Sequence, residues 1–137
     1  MAMPRLFGDE HVRRYRETGG EVGHDWEGTQ TLILTTTGRR SGERRDNALI
    51  YGQDGDDLLV VASKGGSDVP PAWYLNLQAE PEAEVQLRDE VFKVHARDAT
   101  DEEKPKLWAE MVGHWPAYDE YQRKTERPIP VVVLERA

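Results

Sequence analysis

The longest uninterrupted apolar run in the chain is five residues, Leu58 to Ala62. It sits among short, β-branched segments separated by turn residues. Such runs are far below the roughly 20 apolar residues needed to cross a bilayer, and they favour short strands over long helices. TLILTTT (31–37) reads as a first strand, GRRSG (38–42) as a turn, and 44–53 as a second strand with Ala48, Ile50 and Gly52 on one alternate row. Asp54-Gly55 is a hairpin signal. DLLVVAS (57–63) returns as the third strand, and its continuous apolarity predicts burial on both faces, at the centre of a sheet.

AEVQLR (83–88) and EVFKVHAR (90–97) pair around Arg88-Asp89, and PVVVLE (130–135) closes the series. Between these strands lie a short helix near 71–79 and a helix opened by the capping box Thr100-x-x-Glu103 and running to about Trp115. A second short helix carries Tyr118 and Tyr121. Residues 1–26 read as an irregular lead segment with Gly19, Gly20 and Gly23, and 27–137 as a single domain. Six short strands with few helices predict a mainly β fold with α elements, a small and mostly antiparallel barrel. A doubly wound α/β fold is disfavoured, because strands do not alternate with long helices and no GxGxxG occurs.

Composition narrows the chemistry. The absence of cysteine excludes disulfides, thiolate nucleophiles and thiolate metal sites. The four histidines (His11, His24, His95, His114) lack ligand spacing, so no metal is expected. There is no Gly-x-Ser-x-Gly elbow and no Walker sequence. With 26 acidic and 18 basic residues the formal charge is −8, which argues against general nucleic-acid binding. The first residues lack the apolar stretch of a secretory signal. The expected setting is the cytoplasm, with a small-molecule partner.

The charge is unevenly distributed. Residues 80–103 hold nine carboxylates and three basic residues, whereas 39–45, RRSGERR, hold four arginines and one Glu. A charge run is commonly a solvated face, but Arg39, Arg40, Arg44 and Arg45 crowd a turn directly after a strand. Guanidinium forks suit phosphate and carboxylate, so an anionic ligand is the better reading. Ala62-Ser63-Lys64-Gly65-Gly66 is a second candidate: either an ordinary flexible loop or, with its glycines and Lys64 ahead of a helix, an anion cradle. The two turns should lie at one end of an antiparallel meander. Together they would suit an extended polyanion better than a single phosphate.

Two aromatic groups remain open between core packing and ligand contact. One is Trp73-Tyr74-x-Asn76. The other is Trp115-Pro116-Ala117-Tyr118-x-x-Tyr121, whose phenols share a helix face. His95 reads as exposed on its strand, and His114 as a possible proton donor at a pocket edge.

LTTTGRRSGERR (34–45), VVASKGGSDVPPAWYLNL (60–77), ARDATDEEK (96–104) and WPAYDEYQRKTERPIPVVVLE (115–135) together resemble the deazaflavin-dependent nitroreductase family of actinobacteria. The resemblance runs from about residue 27 to the C-terminus. It implies a six-stranded, FMN-binding split-barrel-like fold and a cytoplasmic oxidoreductase using coenzyme F420, an 8-hydroxy-5-deazaflavin. Hydride would pass from reduced F420 to a small conjugated acceptor: a quinone, nitroaromatic or enone.

By resemblance, Arg39, Arg40, Arg45 and Lys64 would hold the phosphate and polyglutamate tail, with Gly65 beside them. Asn47, Ala48, Leu49, Val61, Ala62 and Ser63 would border the ring through backbone groups, and Ala72, Trp73 and Asn76 the phosphate-and-linker region. Ser63, Tyr118 and Tyr121 would act on the acceptor side, with Ile50 and Trp115 completing it. No metal or nucleic acid is implied. Peripheral membrane contact and a monomer or homodimer are compatible with it. Two alternatives stand beside this reading: an F420-binding protein without turnover, and an FMN-using split-barrel oxidoreductase.

Overall fold

Successive side chains of a strand face opposite ways, and here both faces are used. The computed structural model describes residues 6–137 and contains, among them, helices α1 (Gly8–Thr18), α2 (Ala72–Ala79), α3 (Lys104–His114) and α4 (Ala117–Arg123). Its strands are β1 (Asp25–Trp26), β2 (Thr29–Thr37), β3 (Arg44–Ile50), β4 (Gly52–Asp54), β5 (Asp57–Val61), β6 (Glu82–Leu87), β7 (Glu90–Asp98) and β8 (Val131–Arg136). All six expected strands form. The second is divided at Tyr51 into β3 and β4, and the short β1 is added, which makes eight.

The lead segment is not irregular. It contains α1 and β1, with its first five residues outside those described. The sequence hides α1 because only His11, Val12 and Tyr15 are buried and no side chain caps its start. Its end is well marked: Gly19 takes φ 60° and donates its N–H to the Tyr15 carbonyl.

Every strand pairing is antiparallel. The sheet runs β2-β6-β7-β8-β5-β4, with β3 on the other side of β2. Strands β3 and β4 therefore lie at opposite ends of the sheet yet follow one another in the chain. The sheet curls until those ends meet at Tyr51, whose N–H donates to the Gln30 carbonyl at 3.1 Å. Closure into a barrel is thus enforced by chain connectivity.

Leu32, Leu34, Leu58, Val60, Val132 and Leu134 point into the barrel, where Trp73 and Leu77 of α2 plug one end. Their neighbours Leu59, Val61, Val131 and Val133 point outward and are covered by Leu107 and Met111 of α3 and Tyr118 of α4. This is why β5 is apolar from Leu58 to Val61. Each fully buried leucine or valine contributes about 1.5–3 kcal/mol relative to exposure.

On another outer face, Val12 and Tyr15 of α1 cover Ile33. The Tyr15 hydroxyl donates to the Thr31 carbonyl at 3.0 Å and accepts the Arg88 N–H at 2.8 Å, tying α1 to β2 and to the β6–β7 turn. Helix α3 opens on the expected capping box. The Thr100 N–H donates to Glu103 Oε1 at 2.9 Å and the Glu103 N–H to Thr100 Oγ1 at 3.2 Å.

Candidate functional site

The arginine turn is stapled in place by its own loop and by α2. The Gly38 N–H donates to the Glu43 carbonyl at 2.7 Å, closing the loop between β2 and β3. Buried Asn76 reaches across from α2: its Oδ1 accepts the Arg39 N–H at 3.1 Å, and its Nδ2 donates to Thr36 Oγ1 at 3.1 Å. The amide therefore positions the turn.

A cleft of about 700 Å³ opens here, walled by Arg39, Arg40, Arg44, Arg45, Asn47, Ala72, Trp73 and Asn76, with Asp9, Val12 and Arg13 of α1 opposite. Arg44 pairs with Glu84 and Arg45 with Glu43. Neither Arg39 nor Arg40 is ion-paired among the described residues. Their like charges repel one another until an anion enters.

A second cavity, about 580 Å³, shares Asn47, Ala72 and Trp73 with the cleft. Ala48, Leu49 and Ile50 of β3 with Val61 and Ser63 at the end of β5 form one wall, and Lys64, Gly65 and Pro71 another. Trp115, Tyr118 and Tyr121 face Gly8, His11 and Trp26 across it.

The loop after β5 turns sharply through positive φ at Lys64 (45°), Gly65 (64°) and Gly66 (86°). At Gly66 a Cβ would lie 2.7 Å from the Tyr121 carbonyl oxygen, so only glycine permits α4 to approach. Arg127 braces the same loop. Its Nε donates to the Ser67 carbonyl at 2.8 Å and its Nη2 to the carbonyls of Ser63 (3.0 Å) and Ala62 (3.2 Å).

Tyr118 and Tyr121 meet edge to face, ring centroids 6.1 Å apart, a favoured aromatic geometry. The Tyr121 hydroxyl accepts the Trp115 indole N–H at 3.3 Å. Burial pushes the Tyr118 phenol well above its ordinary range, with Tyr121 adding to the shift. Trp26 packs against Trp115 at 5.9 Å, so β1 and the end of α3 meet at the cavity.

Of the residues expected from sequence, Arg39, Arg40 and Asn76 line the cleft with Arg45, while Lys64, Gly65, Ser63 and the aromatics Trp115, Tyr118 and Tyr121 line the second cavity. Asn47, Ala72 and Trp73 belong to both. Ala48, Leu49, Ile50 and Val61 line the second.

The Ala62 side chain lines neither space. Alternation turns its side chain into the barrel, its N–H donates to the Pro130 carbonyl at 3.1 Å, and its own carbonyl is taken by Arg127. His114 also lies outside, bonded to Glu110 at 2.7 Å, and His95 is exposed against Glu82. Tyr74 lines neither space; its ring meets Trp73 edge-on at 6.4 Å and its hydroxyl donates to Asp98 Oδ2 at 2.7 Å.

Sequence reasoning missed Arg127, which no pattern distinguishes from other surface arginines, and the contribution of His11 and Trp26. The described residues contain no cluster of three or more His, Cys, Asp or Glu suited to a metal. The donor set instead suits phosphate and carboxylate in the cleft and a flat, largely apolar molecule beside it.

Comparison with known proteins gives the family. The sequence model of the family described as F420H(2)-dependent quinone reductase matches residues 8–136. An F420H(2)-dependent quinone reductase of Mycobacterium tuberculosis (strain H37Rv) is 42% identical over 131 residues, covering 92% of this chain and 87% of its own. A solved F420-H2 dependent reductase superimposes with TM-score 0.71 at 40% identity, covering 77% of this chain and 93% of the other. Another solved structure, described as a domain-swapped dimer, gives TM-score 0.74 at 36% identity, covering 90% and 92%.

Proposed function

The chain belongs to the F420H(2)-dependent quinone reductase family, and from that premise we propose that the cationic cleft and the aromatic cavity hold cofactor and acceptor side by side. The fold is a split barrel and the protein an oxidoreductase whose cofactor is F420.

The residues fit this group. Arg39 and Arg40, unpaired by any carboxylate among the described residues, would hold its phosphate and polyglutamate tail together with Arg45. Lys64 adds a cation on the side of the second cavity. Asn47, Ala48, Leu49, Val61 and Ser63 would border the ring, and Ala72, Trp73 and Asn76 its linker. When bound, the reduced deazaflavin supplies a hydride.

The protein's part is orientation and charge. Ile50, Trp115 and Tyr118 would hold a flat acceptor and keep water from it. The hydroxyls of Tyr121 and Ser63 are the donors that would steady negative charge on the acceptor's oxygen as it is reduced. The single observation carrying this reading is that Asn47, Ala72 and Trp73 line both spaces, so one elongated cofactor can lie with its anionic end in one and its ring in the other.

Quinones are the family's acceptors. Nitroaromatics and enones share the flat conjugated shape and belong to the same proposal. No helix among the described residues is long and apolar enough to cross a membrane, and the reading places the enzyme in the cytoplasm, as a monomer or homodimer.

The test is anaerobic mixing of the protein with reduced F420 and menadione, following return of the oxidised cofactor's absorbance. Enzymatic acceleration is expected. Tight F420 binding with no acceleration across quinones, nitroaromatics and enones would instead make this a cofactor-binding protein. Tighter binding of FMN than of F420 would overturn the cofactor assignment.

A further inference from the structure

His11 is the one histidine that lines the aromatic cavity, and the proposed reaction gives it no role. It is 4% exposed, yet it shares that lining with Tyr118 and Tyr121. Its Nε2 lies 2.9 Å from the Gly23 carbonyl oxygen and 3.3 Å from Thr31 Oγ1. The Thr31 hydroxyl itself donates to that carbonyl at 2.6 Å. A carbonyl oxygen only accepts, so Nε2 must carry a proton.

The other ring nitrogen, Nδ1, has no hydrogen-bond partner among the described residues. Among the described residues no partnerless side-chain nitrogen or oxygen is sealed from solvent. Nδ1 therefore keeps solvent access, and His11 lines the aromatic cavity.

The ring is held there deliberately tightly. It stacks on Trp26 at 6.0 Å with 26° between planes, and Tyr15 abuts it at 6.5 Å. Gly23 adopts φ +104°, and a Cβ there would stand 2.9 Å from His11 Cδ2, so any side chain would displace the imidazole. A backbone carbonyl fixing one nitrogen while the other faces a reaction space is the arrangement that orients catalytic imidazoles.

The remaining titratable groups around the cavity are Lys64, Tyr118 and Tyr121, and no carboxylate lines it among the described residues. On the same helix, Asp9 and Arg13 face the cationic cleft instead, and Glu10 is paired with Arg13. His24 turns toward the Tyr51 hydroxyl, 3.0 Å away.

We propose that His11, through Nδ1, contacts the acceptor's oxygen and delivers the proton that completes its reduction. The proposal rests on the functional reading above. Hydride uptake leaves a quinone one proton short of the hydroquinone. The Nδ1–H bond of the imidazolium breaks and an O–H bond forms on the acceptor. The ring is left neutral with Nε2–H still held by Gly23, and solvent restores the lost proton.

The discriminating variant is His11→Gln, whose amide nitrogen can still donate to Gly23 while nothing replaces Nδ1. Menadione turnover should fall about a hundredfold or more, with F420 affinity unchanged. A readout independent of turnover uses wild-type protein bound to oxidised F420. In long-range ¹H–¹⁵N spectra, His11 should be protonated at Nε2, and its Nδ1 signal should move when menadione is added. Wild-type turnover in His11→Gln would overturn the proposal, as would an Nδ1 signal unmoved at saturating menadione. Failure of wild-type protein to reduce any acceptor would instead overturn the underlying function, so the two failures are distinguishable.

Discussion

The cationic cleft and the aromatic cavity share three residues yet are assembled in opposite ways. Four of the cleft's arginines come from one seven-residue stretch, with α2 supplying the staple and α1 the far wall. The cavity gathers side chains from α1, β1, β3, the loop after β5, and the α3–α4 region. Charge acts over distance and tolerates a flexible side chain, so a cluster close in sequence is enough to make an anion site. A shaped apolar slot needs surfaces brought together by the whole fold. Mutations should therefore separate cleanly: cleft variants alter cofactor affinity with a strong salt dependence, and cavity variants alter turnover.

The sharpest break in that separation is at Gly66, where loop and α4 touch. Gly66→Ala forces a Cβ against the Tyr121 backbone at a left-handed position. It should cost about 2–3 kcal/mol in urea unfolding and damage binding and turnover together. An unchanged midpoint would show that the seam is looser than described.

Next in size is Arg40→Ala, expected to weaken F420 binding by about 1.5–3 kcal/mol through loss of a charge-assisted contact. The loss should shrink as salt is raised. Fluorescence titration at two ionic strengths measures both, and unchanged affinity would make the turn a solvated face. Tyr121→Phe should leave that affinity intact and lower the menadione kcat about three- to tenfold, the worth of one neutral hydrogen bond. A rise in the F420 Kd instead would move the phenol to the cofactor side.

The smallest effect is confined to alkali. Folding raises the Tyr118 phenol's pKa, so its contribution to stability is complete below the unfolded phenol's value of about 10 and is lost as pH rises toward the folded value. Tyr118→Phe should flatten the fall in stability above about pH 10 and change little at pH 7, read from urea midpoints across that range. An equally steep fall in the variant would locate the alkaline transition elsewhere.

The strands were legible because their pattern is local. The doubly apolar β5 announced its burial on both faces, and Thr100 and Glu103 announced α3. The arginine turn was legible for the same reason. Helix α1 was not, since two neighbouring residues and a tyrosine make its whole buried face. His11 and Trp26 were consequently out of view, although they form the cavity's far wall. Ala62 turns its side chain into the barrel while its neighbours Val61 and Ser63 reach the cavity, and only the strand's phase decides which of three adjacent residues turns inward.

By itself the sequence determined the strand periods, the hairpin at Asp54-Gly55, the concentration of cations at one turn, and the resemblance that names the cofactor. The first three depend on neighbours within a few residues, where spacing alone dictates geometry, and the resemblance on four blocks between residues 34 and 135. Only the tertiary structure decided that β3 and β4 close the barrel at Tyr51, that Asn76 and Arg127 brace the two loops, and that an imidazole from the first helix faces the phenols of the last. Those relations join residues up to about a hundred positions apart. What holds them is the burial of both faces of one curled sheet, and no local pattern records that.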